Sequence, residues 1–445
     1  MANETVALIS LGCAKNLVNS EQMLCLLSDA GYTLVPDPDG ADAVIINTCG
    51  FIDAAKSEAI DNILEMAQLK AAGRLRKIIV TGCLTERYRE EVRAELPEVD
   101  ALVGVGSFGE IVEVLRSTLA DAPADRFGDR NAPVEELGRY LTTGPGWAYL
   151  RIAEGCDNRC AYCAIPDIRG RFRSRPMENV LAEAADLVAA GCKELIVIAQ
   201  DITRYGTDLY GAPRLAELCR ALSKIEGLAW IRLHYLYPEL IDDELIREIA
   251  DNPKIVKYLD IPIQHINSAI LKRMNRRGSG EMIRALFARL RREIPGLVLR
   301  TSLITGLPGE GEAEFEELCD FLRQARIERA GVFPYSPEEG TPAASMPDRV
   351  DSETAQKRAE QIMAIQDRIM DDFNASCVGK TLRVLCTGFD GDGAYRTGRS
   401  WADSPDIDGT VYFEGDCLPG SFADVRITGV MDGELTGEQE EGELQ

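Results

Sequence analysis

Along residues 1–120, apolar and polar positions repeat one pattern three times. VALISLGC, AVIINTCG and KIIVTGC are short β-branched apolar runs, too short for helices, and each ends in Gly or Thr beside a cysteine. A helical pattern follows each one: KNLVNSEQMLCLLSDAG, DAAKSEAIDNILEMAQL and TERYREEVRAEL. Strands alternating with helices predict a parallel sheet covered by helices, in which ligands gather beyond the carboxyl ends of the strands. Cys13, Cys49 and Cys83 all fall at such ends, 36 and 34 residues apart, so the topology can bring them together.

A Pro/Gly/Asp-rich stretch, APADRFGDRNAP then TTGPGW, separates a second α/β region at 140–350. Its predicted strands are WAYLRIAEG, ELIVIAQD, AWIRLHYL, YLDIPIQH, LVLRTSLITG and RAGVFPYS, with helical patterns between them. Six β-α units predict a partial (β/α)6 barrel whose chemistry lies in loops at the carboxyl ends of the strands. A linking helix at 351–377 leads to short alternating strands broken by Gly and Asp at 378–436, the pattern of a small antiparallel β-barrel. Residues 437–445 close the chain as an acidic tail, and LTGEQEEGELQ as a whole has the composition of a disordered segment. The expected fold class is α/β with this small barrel appended.

Composition narrows the setting. No apolar run reaches the roughly 20 residues of a membrane span, and MANETVALISLGC carries no basic leader region. Thirteen cysteines without a secretory signal imply reduced thiols and a cytoplasmic location. The net charge of −24 disfavours a broad nucleic-acid surface and suits a basic partner. Residues 378–445 alone hold five Lys/Arg against fourteen Asp/Glu, with Asp390, Asp392, Asp403, Asp406, Asp408 and Asp424 in or beside the predicted barrel.

The densest chemistry is EGCDNRCAYCAIP, in which Cys156, Cys160 and Cys163 form a C-x3-C-x2-C run directly after the first strand of the second region. A structural zinc site needs four ligands, and the only histidines, His234 and His265, lie far away in sequence. Iron–sulfur clusters are held by thiolates, and three of them leave one iron of a four-iron cluster open to a small molecule. By position, Cys13, Cys49 and Cys83 form a second three-cysteine set.

The cysteine run, with Tyr162 before its last member, resembles the radical S-adenosylmethionine superfamily. The whole chain is similar to its methylthiotransferase branch. SLGCAKNLVNSE, LHYLYPE, YLDIPIQH, FPYSPEEGTPA and GRSWADSPDIDG look like the RimO group of that branch. The resemblance implies an N-terminal methylthiotransferase domain, a radical core and a C-terminal TRAM barrel. It implies two 4Fe-4S clusters, one on Cys156, Cys160 and Cys163 and an auxiliary one on Cys13, Cys49 and Cys83. It also implies S-adenosylmethionine bound at the open iron of the first cluster, an electron donor, and transfer of a methylthio group to the β-carbon of an aspartate in ribosomal protein S-twelve. The sister group that modifies adenosine in tRNA would need a basic, stacking barrel. A non-catalytic iron–sulfur scaffold would have no use for S-adenosylmethionine.

Beyond the six cysteines, Tyr162 and Gln200, with Asp201 beside it, are candidate contacts to S-adenosylmethionine. The run RGRFRSRP (169–176) reads equally as an anion-steering element or a solvated loop. ITGLPGE (304–310) brings backbone near the cofactor or makes a plain turn. His265 and the remaining cysteines, such as Cys192 and Cys319, read as core.

Overall fold

The computed structural model describes residues 4–440; the last five residues of the acidic tail lie outside the described residues. Packing divides the chain into two units. The first runs to Thr142 and also takes in Ala153–Arg175 and Ser336–Ala344; the second comprises Thr143–Ile152, Pro176–Tyr335 and the chain from Ser345. The C-x3-C-x2-C run, placed by sequence in the second region, therefore packs with the N-terminal sheet.

In the first unit, β1 (Thr5–Ser10), β2 (Thr33–Leu34), β3 (Ala43–Thr48), β4 (Lys77–Gly82) and β5 (Ala101–Val103) form a parallel sheet in the order β2-β1-β3-β4-β5. Both faces are covered, so alternate residues of one strand enter different cores. Val44, Ile46, Ile78 and Val80 pack with Ala59, Ile63 and Met66 of α2 (Asp53–Ala71), across the sheet from α1 (Ala14–Asp29). On the α1 side, Ile45 and Ile79 meet Met23 and Leu27 of α1 together with Ile111, Val114 and Leu115 of α5 (Ile111–Leu119). The third helical pattern is two helices, α3 (Cys83–Arg87) and α4 (Arg89–Glu95), because Tyr88 between them leaves helical geometry (φ −127°, ψ 42°).

In the second unit all six predicted strands form: β6 (Trp147–Arg151), β7 (Glu194–Ile198), β8 (Trp230–Leu233), β9 (Ile255–Asp260), β10 (Val298–Thr305) and β11 (Arg329–Pro334). They lie in sequence order, β6 to β11, and every neighbouring pair is parallel. This is an unclosed (β/α)6 sheet. The helix Ser352–Cys377 leads into a closed barrel of β12 (Thr381–Phe389), β13 (Arg396–Arg399), β14 (Val411–Glu414), β15 (Phe422–Met431) and β16 (Glu434–Gln439). One pair, β14 with β16, is parallel, so the barrel is not wholly antiparallel. Leu435 to Gln439, unstructured by composition, are part of that closing strand, because Leu435 fills the barrel core beside Val411 and Val425.

GRSWADSPDIDG follows β13 and is anchored by buried charge. Arg399 Nη2 lies 2.6 Å from Glu194, Arg232 Nη1 donates to Trp401 O at 2.7 Å, and Arg329 Nη2 lies 2.8 Å from Asp403. Tyr258 donates to Asp408 at 2.6 Å. This corrects the expected acidic face: Asp403 and Asp408 are enclosed by partners from β9 and β11 and present no charge to a partner protein. Asp392, Asp406 and Asp424 are exposed.

Candidate metal centre

The carboxyl ends of β1, β3 and β4 carry the three N-terminal thiols. Cys13 is the N-cap residue of α1, Cys49 follows β3 directly, and Cys83 is the first residue of α3. The loops bearing them touch: a Cβ added to Gly12 would stand 3.2 Å from Cys49 Sγ, and one on Gly50 would stand 2.7 Å from Leu84 Cα. The sheet register gathers three residues spread over seventy positions of sequence.

Their electrostatics differ. Crowding by protein atoms would raise the pKa of Cys13, but Lys15, Arg169 and the backbone N–H groups of Asn16 and Lys15 outweigh it and lower the thiol below its usual value. A helix N-terminus favours a thiolate in this way. Cys49 is pushed up to about 12, first by burial and then by the negative charge of Cys83 and Cys13. Burial also raises Cys83, against the pull of Arg169. The negative charge of Cys13 thus works against ionisation of both Cys49 and Cys83.

Around them the polar framework is continuous. Asn16, fully buried, donates from its side-chain amide to Leu11 O at 2.9 Å and Thr48 O at 3.0 Å. Its Oδ1 accepts from Arg169 and lies 3.8 Å from Cys83 Sγ. Asn47 donates to Asn16 O and to Ser20 Oγ, both at 2.9 Å. These asparagines gave no signal in sequence beyond lying beside the cysteine motifs.

The second thiol set sits in the same unit. Ala153–Glu154 pairs with Arg173–Ser174 as a short antiparallel ribbon that pins both ends of the cysteine loop. Cys156 N donates to Gly170 O at 3.1 Å and Cys163 N to Cys160 O at 3.0 Å, while Ala343 N donates to Ala161 O at 2.9 Å. Gly155 is in left-handed geometry (φ 79°) with Arg171 O only 2.0 Å from where a Cβ would be. Cys156 and Cys160 are buried and Cys163 is half-buried, with Tyr162 half-buried between them. After Cys163 comes α6 (Ile165–Arg169), whose Ile168, with Ala164, packs against Cys83. Segment 336–344, from the FPYSPEEGTPA motif, closes on the same unit: Glu338 accepts from Asp53 N at 3.1 Å, Lys56 at 3.1 Å and Arg87 at 2.8 Å.

The arginine run divides by position. Arg169, Arg173 and Arg175 are buried and Arg171 is exposed; Arg175 Nε lies 3.0 Å from Glu136. In the second unit, Gln200 is half-buried two residues past β7, and Asp201, fully buried, accepts from Thr203 N at 3.0 Å. His265 is fully buried and accepts from Asn267 N at 3.0 Å. In ITGLPGE, Glu310 caps Gly306 N at 3.0 Å and pairs with Arg358 at 2.9 Å.

The donors fit a cluster better than a single ion. A lone zinc binds its sulfurs at about 2.3 Å, whereas a four-iron cluster takes one thiolate on each of separate irons. All-thiol donor sets of three, with a buried cation beside one of them, suit the latter.

Residues 5–104 match the uncharacterized protein family UPF0004, 150–322 the radical SAM superfamily, and 378–439 the TRAM domain. Ribosomal protein uS12 methylthiotransferase RimO of Acetivibrio thermocellus is 48% identical over 97% of this chain and 98% of its own. The protein of the same name from Geobacter sulfurreducens is 49% identical over 98% and 99%. The chain belongs to the RimO family. Its radical SAM match makes it a radical S-adenosylmethionine enzyme, a class that uses a 4Fe-4S cluster and S-adenosylmethionine. Among solved structures it shares the fold of the radical S-adenosylmethionine methyltransferase TsrM from Kitasatospora setae, with a TM-score of 0.57 at 16% identity over 77% of each chain. No helix among the described residues of this RimO family member is long and apolar enough to cross a membrane.

Proposed function

We propose that this chain is a methylthiotransferase that modifies the β-carbon of an aspartate in ribosomal protein uS12. The observation that carries the reading is the packing of Cys83 against Ala164 and Ile168, immediately after Cys163, which sets two three-thiol groups into one compact unit. In this reading Cys156, Cys160 and Cys163 hold the radical cluster, and Cys13, Cys49 and Cys83 hold an auxiliary one. When bound, the clusters and S-adenosylmethionine supply hydrogen-atom abstraction from an unactivated carbon and a sulfur to attach there, chemistry no side chain provides.

The chain supplies position and exclusion of water. The ribbon Ala153–Glu154 with Arg173–Ser174 fixes the radical loop, and the burial of Cys156 and Cys160 shields its ligands. In the same reading Tyr162 is a contact of S-adenosylmethionine, and reduction depends on an external electron donor. The N-terminus of α1 and Lys15 favour the thiolate of Cys13. The acidic barrel suits a Lys/Arg-rich protein, since opposite charge across an interface speeds association.

The test is anaerobic incubation with S-adenosylmethionine, a reductant and either uS12 or unmodified tRNA, followed by mass spectrometry. A methylthio increment on an aspartate of uS12 is expected. Modification of the tRNA with uS12 untouched, or no product with either, would sink the reading.

A further inference from the structure

Arg169 is 2% exposed, and burying a guanidinium costs several kcal/mol unless its donors are met. Nη1 donates to Asn19 Oδ1 at 2.9 Å and to Glu154 Oε2 at 3.2 Å; Nη2 donates to Asn16 Oδ1. Asn16 is itself fixed to Leu11, just after β1, and to Thr48, the last residue of β3, so the guanidinium is held in register with both strand ends. Asn16 Oδ1, which accepts from Nη2, also lies 3.8 Å from Cys83 Sγ, so one amide oxygen bridges the guanidinium and that thiol. One carboxylate, Glu154, lies beside it in an ion pair, whereas three cluster thiolates would bring three negative charges. The residue sits at the end of α6, six positions after Cys163, on the element that packs against Cys83.

The geometry points to Arg169 as a positioning residue: a buried positive charge that offsets the Cys13, Cys49 and Cys83 ligand set and raises the reduction potential of the cluster they hold. This rests on the reading that those three cysteines are cluster ligands. Net charge and hydrogen bonds to the sulfurs are the protein's levers on an iron–sulfur potential. The couple gains one electron from an external reductant, with no bond made or broken. A cation within the same low-dielectric pocket favours the more negative, reduced form.

The experiment uses the full chain, reconstituted anaerobically, with Cys156, Cys160 and Cys163 each changed to Ala so that one cluster alone is observed. Its midpoint potential is read by electron paramagnetic resonance during titration with dithionite and mediators. Arg169→Gln is expected to move the midpoint to more negative potential, and Arg169→Lys to restore most of the shift. Glu154→Gln removes a negative charge from the same pocket and is expected to move it the other way. If Arg169 only ties α6 to the sheet, the Gln variants will shift in the same sense or not at all, and the inference falls. Should Arg169→Gln bind no iron, Arg169→Lys and Glu154→Gln decide by the same signs: a Lys variant near the parent with a positive shift in Glu154→Gln supports it, and any other pattern overturns it. Absence of iron from the parent itself would instead remove the reading of the three cysteines as ligands.

Discussion

Glu194 and Arg399, 205 residues apart, meet at 2.6 Å, and the other oxygen of Glu194 lies 2.7 Å from Arg232. Burial alone would raise the pKa of this carboxyl, but Arg399 and Arg232 outweigh it and hold it below the ordinary range. A carboxyl depressed on folding contributes stability that is complete above its unfolded pKa and is lost as pH falls through its folded value. Glu194→Gln leaves two buried guanidiniums without their carboxylate and is expected to cost about 3–5 kcal/mol in urea unfolding. The loss of stability on acidification below the normal glutamate range should also become shallower in the variant.

The two thiol groups should separate by function. Replacing Cys156, Cys160 and Cys163 with Ala is expected to remove about half of the iron and to abolish cleavage of S-adenosylmethionine. Replacing Cys13, Cys49 and Cys83 should also remove about half while leaving reductive cleavage to 5′-deoxyadenosine. Methylthio transfer should be lost in both. Iron analysis and chromatography of the cleavage products check this, and full product formation without the N-terminal thiols would show them to be structural.

Gly155→Ala is expected to damage the radical loop selectively. The added carbon meets Arg171 O at 2.0 Å, a backbone atom held by the adjoining ribbon, at a φ of 79° that L residues rarely adopt. Iron content should fall toward one cluster per chain, with the melting temperature lowered by a few degrees. A variant with full iron and full cleavage activity would refute this account.

Charge reversal on the barrel should divide by burial. Lysine at Asp392, Asp406 and Asp424, all exposed, is expected to weaken uS12 binding, with the largest difference at low salt. Lysine at Asp403 would face Arg329 in a buried site and should destabilise the fold instead. Binding at two ionic strengths, beside thermal melts, distinguishes the two outcomes.

The positions of Cys13, Cys49 and Cys83 were legible because a βα repeat places each residue after a strand at one sheet edge. The six strands of the second unit were legible for the same reason: each is an apolar run of strand length. Arg169 was not legible. In RGRFRSR, four arginines alternate with other residues as in a solvated loop, and only Asn16, Asn19 and Glu154 show which of them turns inward. Asp403 and Asp408 read as surface charge because Arg329 and Tyr258, their partners, lie 74 and 150 residues away. The break at Tyr88 left no mark either, since TERYREEVRAEL keeps a helical pattern through it.

The parallel pairing of β16 with β14 bears on how the chain is made. β14 and β15 are both synthesised before β16, yet β16 is the strand that lies between them. The barrel cannot seal while the segment before Glu434 is still being translated. Folding of this domain is therefore post-translational with respect to its first four strands, and they await the fifth with two open edges. Those edges are a site for mispairing with another nascent chain. A chain truncated after Met431 should therefore aggregate, whereas the full chain should not.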